Sequence, residues 1–175
     1  MIGQTRWFDR KFDFDFPIGM FPCILERLRG TPARLEEIAR SLPRKILVTK
    51  VDNKWSIQEH VGHLFDLDKL HDARIDDFLS GVTVLRPADP DNKTTNEANH
   101  NANRIENLLR QFRAGRGGFV KRLDQLDEKE IALVAQHPRL KQPMRVVDMA
   151  FFVAEHDDHH LARITEMAKT LKKRS

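Results

Sequence analysis

Eight histidines, at positions 60, 63, 71, 100, 137, 156, 159 and 160, stand in a 175-residue chain with one cysteine and no tyrosine. Imidazole titrates near neutrality and is the commonest metal ligand, so where these residues fall matters more than their number. The informative segment is Glu155-His-Asp-Asp-His-His160. His156 and His160 are four apart, which puts both rings on one helix face a single turn from each other. That spacing lets two imidazoles reach one ion. Without a third ligand the pair reads as surface histidines titrating near pH 6.5.

The apolar stripe of the helix that carries them runs through Val146, Ala150, Val153, Ala154, Leu161, Ile164, Ala168 and Leu171, predicting a helix over 145–171. At 100° per residue His160 lies roughly 75° and His156 roughly 110° from the stripe centre, on the same flank. His159 points away from the core, toward solvent or an interface. Asp157 falls on the apolar face and needs a partner if buried.

A third ligand must come from another helix. The second predicted helix, 56–79, opens on Ser56-Ile-Gln-Glu59, a capping box, and ends at Gly81. It carries His60, His63 and His71. Its apolar face (Ile57, Val61, Leu64, Ile75, Phe78) sets His60 and His71 nearest the centre and His63 on the flank, so periodicity leaves all three open. Glu59, Asp66, Asp157 and Asp158 lie within a turn of the candidates. One of them could take the free ring N–H of a ligating histidine, against the blander reading of solvated helix carboxylates.

The remaining elements complete the frame. Residues 1–16 alternate aromatic and charged side chains and, with Pro17 and Pro22 following, predict an extended arm packed on the body. Ile18 to Ser41 reads as two helices, or one kinked near Gly30-Thr31-Pro32, with Thr31 as an N-cap. Leu42–Asn53 is a connection and 81–94 a loop. A third long helix covers 96–126, where Gly115, Gly117 and Gly118 imply close helix contact or a kink. Residues 127–143 form another loop, and His100 and His137 are expected in loops or on the surface. Four long amphipathic helices make an all-α four-helix bundle: an arm over 1–16 and a bundle domain over 17–175.

Composition narrows the function classes. The length suits one domain able to bury a core without disulfides or an obligatory metal. Cys23 is the sole cysteine, excluding an intramolecular disulfide and a cysteine-rich zinc site. Any thiol in the chemistry must therefore arrive with the substrate, and a reducing, cytoplasmic setting fits. No leader-like apolar segment opens the chain, and the longest apolar run, Met149–Ala154, is far short of the roughly 20 residues a spanning helix needs. No membrane association is expected. The net charge of +4 and the basic Lys172-Lys173-Arg174 come without a groove-reading motif, so no nucleic-acid partner is expected.

Three blocks carry a family resemblance. They are Trp55-Ser-Ile-Gln-Glu-His-Val-Gly-His63-Leu64, His137-Pro138, and Glu155-His-Asp-Asp-His-His160-Leu-Ala-Arg-Ile164; Arg116 in Phe-Arg-Ala-Gly-Arg-Gly adds to them. Together they make the chain, over about residues 20–170, resemble the DinB-like (DinB/YfiT-like) family of metalloenzymes. The resemblance implies that His63, His156 and His160 hold one divalent metal ion, zinc or nickel foremost, with iron, copper or manganese as alternatives. His60 stands where the family has an aliphatic residue. The resemblance further implies a metal-dependent enzyme, a thiol-dependent S-transferase using a low-molecular-weight thiol and a small-molecule substrate. The alternatives are a metal-dependent hydrolase and a non-catalytic metal-binding stress-response protein. A homodimer is expected.

Overall fold

A computed structural model describes residues 2–174. Its four long helices are α1 (Phe21–Arg40), α3 (Ile57–Leu79), α5 (Ile105–Asp124) and α7 (Val146–Arg174). Shorter ones are α2 (Arg44–Val48), α4 (Lys93–Glu97) and α6 (Glu128–Ile131), and an antiparallel hairpin pairs β1 (Val134–Gln136) with β2 (Pro143–Arg145). Helices α5 and α7 each pack on both α1 and α3. The ring order is thus α1, α5, α3, α7, with the successive long helices α1 and α3 facing each other diagonally. The four-helix bundle predicted from periodicity is present.

Local chemistry explains most element boundaries. Ser56 and Glu59 form the reciprocal capping box: the Glu59 amide donates to Ser56 Oγ at 3.2 Å, and the Ser56 amide to Glu59 Oε2 at 2.8 Å. Gly81, at φ +72°, ends the excursion beyond α3 in the left-handed region glycine favours. Helix α1 runs unbroken through Pro32. Thr31 is therefore not an N-cap. Its hydroxyl lies 2.8 Å from Asp157 Oδ2 and 3.1 Å from the Arg27 carbonyl, to which Arg34 Nη2 also donates at 3.2 Å.

Three expectations are corrected. The third long helix starts at Ile105 rather than near 96, because Asn92 and Asn99 adopt left-handed conformations that divide the preceding segment into α4 and a 3-10 turn at His100–Ala102. Residues 127–143 hold α6 and the first strand of the hairpin. Gly117 and Gly118 face open space and Gly115 has only Asp68 Oδ2 at 3.8 Å, so these glycines serve no close helix contact. The crowded glycine is Gly62, where a Cβ would collide with the His100 ring.

The core divides into two apolar halves. One contains Leu28, Phe78, Phe119 and Val147; the other contains Leu35, Ile57, Phe112 and Ile164. Between them, at the same level of each long helix, lie Thr31, Asp68, Arg116 and Asp157, together with the α7 histidines. The functional site sits in this polar layer. The arm lies along α7: Arg10 pairs with Glu155, Gln4 Nε2 donates to the His159 carbonyl at 2.8 Å, and Arg145 Nη2 donates to the carbonyls of Phe14 and Phe16. Among the described residues no helix is long and apolar enough to cross a membrane.

Candidate metal centre

His63 on α3 and His156 and His160 on α7 are buried and offer ring nitrogens all within 4.8 Å of one another. His156 Nε2 and His160 Nε2 face each other at 3.1 Å. Adjacent ligands on a tetrahedral ion with bonds of 2.0–2.1 Å are about 3.3 Å apart, so this separation suits two donors to one metal. Among the described residues no fourth His, Cys, Asp or Glu joins the cluster.

Hydrogen bonds around the triad determine which nitrogen of His63 is free. Thr95 Oγ1 donates its proton to Asp66 Oδ2 at 2.8 Å, so toward His63 Nδ1, 3.2 Å away, it can only accept. His63 therefore carries its proton on Nδ1 and leaves the Nε2 lone pair bare. The same Asp66 oxygen also pairs with His100 Nε2 at 2.8 Å. His160 Nδ1 and His60 Nδ1 lie 2.9 Å apart; with His160 as the donor of this bond its Nε2 presents a lone pair. His156 Nδ1 is buried without a hydrogen-bond partner among the described residues. Three neutral imidazoles with free nitrogens converging on one point fit a divalent ion of the zinc, nickel, copper or iron class.

Electrostatics agree. Burial pushes His63 down to about 4 and His60 down to about 3, and holds His156 and His160 well below the ordinary histidine value. Neighbouring histidines reinforce the shift at His60, His156 and His160. Beneath the triad, Arg116 on α5 bridges α3 and α7: it binds Asp68 at 2.7 Å through Nη2, and Asp157 through both Nη atoms. Thr31 Oγ1 adds a bond to Asp157 at 2.8 Å from α1. The carboxylate expected on the apolar face of α7 thus has its partners, and all four long helices are tied together next to the histidines.

The structure places the other candidates as follows. His60 is half-buried against His160, and His71 is buried with its Nδ1 unpartnered among the described residues. His159 is half-buried beneath the arm, with Trp7 at 5.7 Å between ring centroids, rather than pointing at solvent. His100 and His137 are buried, not surface residues. Glu59 is spent on the capping box and Lys50, and Asp158 on Arg27 and Arg34. Thr95 gave no signal in the sequence, since it belongs to a short polar helix with no periodicity.

The triad opens onto a cavity of about 460 Å³, walled by Trp7, Trp55, Leu67, Leu70 and Phe152 among others. Trp55 packs on His63 at 4.6 Å and Trp7 on His156 at 4.9 Å between centroids, so two tryptophans flank the histidines.

Compared with known proteins, the chain matches the family model of the DinB superfamily over residues 27–164. Among solved structures it is similar to YfiT from Bacillus subtilis, described as "a probable metal-dependent hydrolase with an unusual four-helix bundle topology". The TM-score is 0.79 at 22% identity, covering 93% of this chain and 94% of that one. The search of curated proteins found no match. With most of its length matched by the family model, the chain belongs to the DinB superfamily.

Proposed function

We propose that this protein is a metal-dependent enzyme acting on a small molecule, with one divalent ion held by His63, His156 and His160. The observation that carries the reading is the convergence of three buried, neutral imidazoles on a point that opens to a cavity. Zinc or nickel is the proposed metal. The absence of a fourth protein ligand among the described residues favours a catalytic over a structural site. A bound divalent ion supplies Lewis acidity and lowers the pKa of a ligating water or thiol toward neutrality.

The chain's own residues do the rest. Asp66, through Thr95, fixes the His63 tautomer, and His60 holds the His160 ring. Trp7, Trp55 and Phe152 line the cavity with apolar surface and limit the water that reaches the reacting group. Cys23 is exposed on α1 and is not among the residues lining the cavity, so the thiol of an S-transfer reaction enters as a co-substrate. Thiol-dependent S-transfer is the first reading. Hydrolysis is the second, favoured by the description of the similar YfiT.

Metal analysis of the purified protein beside His63→Ala, His156→Ala and His160→Ala tests the site. One ion per chain is expected, lost in each variant; stoichiometric metal in all three overturns the assignment. Metal-loaded protein is then offered thiols with electrophiles, and esters and amides. No turnover anywhere in that panel would overturn the enzymatic reading.

A further inference from the structure

The same cavity contains a second polar cluster, away from the triad. Arg74 on α3, His137 after β1 and Arg139 all line it. His137 is buried, and its Nδ1 accepts the Leu140 amide N–H at 3.1 Å. That bond fixes the tautomer: the neutral ring must carry its proton on Nε2. Turning the ring over would put a carbon against the Leu140 amide and lose the bond. Yet His137 Nε2 faces Arg74 Nη1 at 3.4 Å. Two donors converge there with no acceptor between them.

Arg74 is 2% exposed and, among the described residues, lacks the carboxylate that a buried guanidinium normally takes. Its Nε and Nη2 both donate to the Arg86 carbonyl, at 3.1 and 2.9 Å. The nearby acid Asp77 binds Arg86 instead, through that residue's amide and guanidinium. Arg116 offers the contrast within this same molecule, equally buried but clasped by two carboxylates. Arg139, at the rim, lies over the rings of Trp7, Phe8 and Phe152 and makes no ion pair among the described residues. Among the described residues, the one carboxylate lining the cavity, Asp89, accepts the backbone amides of Asp91 and Lys93.

The geometry points to a carboxylate-binding subsite formed by Arg74 Nη1–H, His137 Nε2–H and the Arg139 guanidinium, so that the cavity takes a small organic acid. Two convergent donors match one carboxylate, whereas a phosphate dianion would call on the Nε and Nη2 that Arg74 has already committed. Arg74 lies eleven residues beyond His63, about 16 Å along the α3 axis, and helical side chains lean back toward the N-terminus. Phe152, which packs on His137 at 5.1 Å between centroids, is one turn before His156 on α7. A carboxylate seated there anchors one end of a ligand whose other end extends toward the triad. This orientation rests on the proposed metal centre; binding of the carboxylate does not.

Calorimetric titrations with 3-phenylpropanoate, 3-phenylpropanamide and inorganic phosphate test the proposal, run on metal-free and metal-loaded protein. Saturable one-to-one carboxylate binding is expected in both forms and in His160→Ala, with the neutral amide at least tenfold weaker. Arg74→Gln and His137→Phe are expected to weaken carboxylate binding about 10- to 100-fold, the usual cost of a charge-assisted hydrogen bond in a buried site. Should either fail to fold, Arg74→Lys and the rim variant Arg139→Ala serve, each weakening binding at least threefold. Affinity unchanged in the Arg74 and Arg139 variants overturns the subsite. So does binding that vanishes in His160→Ala but survives in Arg74→Lys, which would locate the carboxylate on the metal. Phosphate binding tighter than the carboxylate also overturns it.

Discussion

The proton on His63 Nδ1 decides whether Nε2 is free to ligate, and Thr95 controls that proton. Its hydroxyl is committed to Asp66, so it can only accept from the ring. Thr95→Val removes the acceptor while keeping the shape. Metal affinity is expected to fall 10- to 100-fold, with Thr95→Ser close to wild type, as read by competition against a chromophoric chelator. An unchanged affinity in Thr95→Val would mean that the tautomer is set elsewhere. The i, i+4 spacing of His156 and His160 was readable from the sequence, as was the need for a third histidine on the second predicted helix. Which histidine was not readable from periodicity. The stripe of α3 set His60 and His71 nearest its centre, but α3 packs against α2, α4, α5 and α7, so its buried face is wider than one stripe and takes in all three histidines at its edge or centre. Only the resemblance singled out His63. Asp66 was within reach of sequence reasoning as an orienting carboxylate; Thr95, which links it to His63 from 32 residues away, was not.

Between elements, the polar layer fixes how α3, α5 and α7 stand relative to one another. Arg116 is 1% exposed and pairs with Asp68 and Asp157, carboxylates buried as deeply on the two helices that carry the histidines. Burial raises Asp68 to about 6, and the Arg116 charge pulls against that rise. Arg116→Met leaves two carboxylates without their cation. A loss of about 3–5 kcal/mol is expected, or a Tm drop of roughly 6–20 °C at this chain length, read by thermal unfolding of the metal-free protein. A fall of under 2 °C would mean that the layer contributes little. Gly62→Ala tests the seam between α3 and the 3-10 turn: its Cβ strikes the His100 ring, which braces Asp66. Metal affinity and stability are expected to fall together there, whereas Gly117→Ala and Gly118→Ala, facing open space, should leave metal affinity unchanged. The apolar periods and the capping box made the four long helices legible. The uninterrupted passage through Pro32 was not, because burial of α1 on both sides of the proline, at Leu28 and Leu35, overrides the local signal for a helix start. Nor was the hairpin, whose three-residue strands are too short to show alternation.

Taken as one body, the molecule keeps most of its histidines neutral inside a protein of net charge +4, and this sets its response to acid. Burial holds His63 at about 4 and His60 at about 3. It holds His137 at about 3, with Arg74 and Arg139 adding to the effect, and His71, His156 and His160 lie well below the ordinary value of 6.5. In the unfolded chain all of them protonate near 6.5. A depressed folded-state value means stability that is present above pH 6.5 and is lost as the pH falls toward 4 and 3. Each such histidine contributes up to about 1.4 kcal/mol per pH unit over that interval. Denaturant midpoints are therefore expected to hold between pH 7 and 8 and to drop steeply from pH 6.5 to 4.5. A bound divalent ion adds RT ln(1 + [M]/Kd), about 2.7 kcal/mol at a hundredfold excess over Kd. Its ligands must be neutral, so protons compete for the same nitrogens and this increment also shrinks as the pH falls. His137→Phe separates the two effects, because His137 is not in the triad: the acid slope should become shallower while the metal increment at pH 7.5 is kept. A denaturant midpoint flat from pH 7.5 to 4.5 in the metal-free protein would mean that these rings protonate in place at ordinary values, and that burial does not hold them neutral in acid.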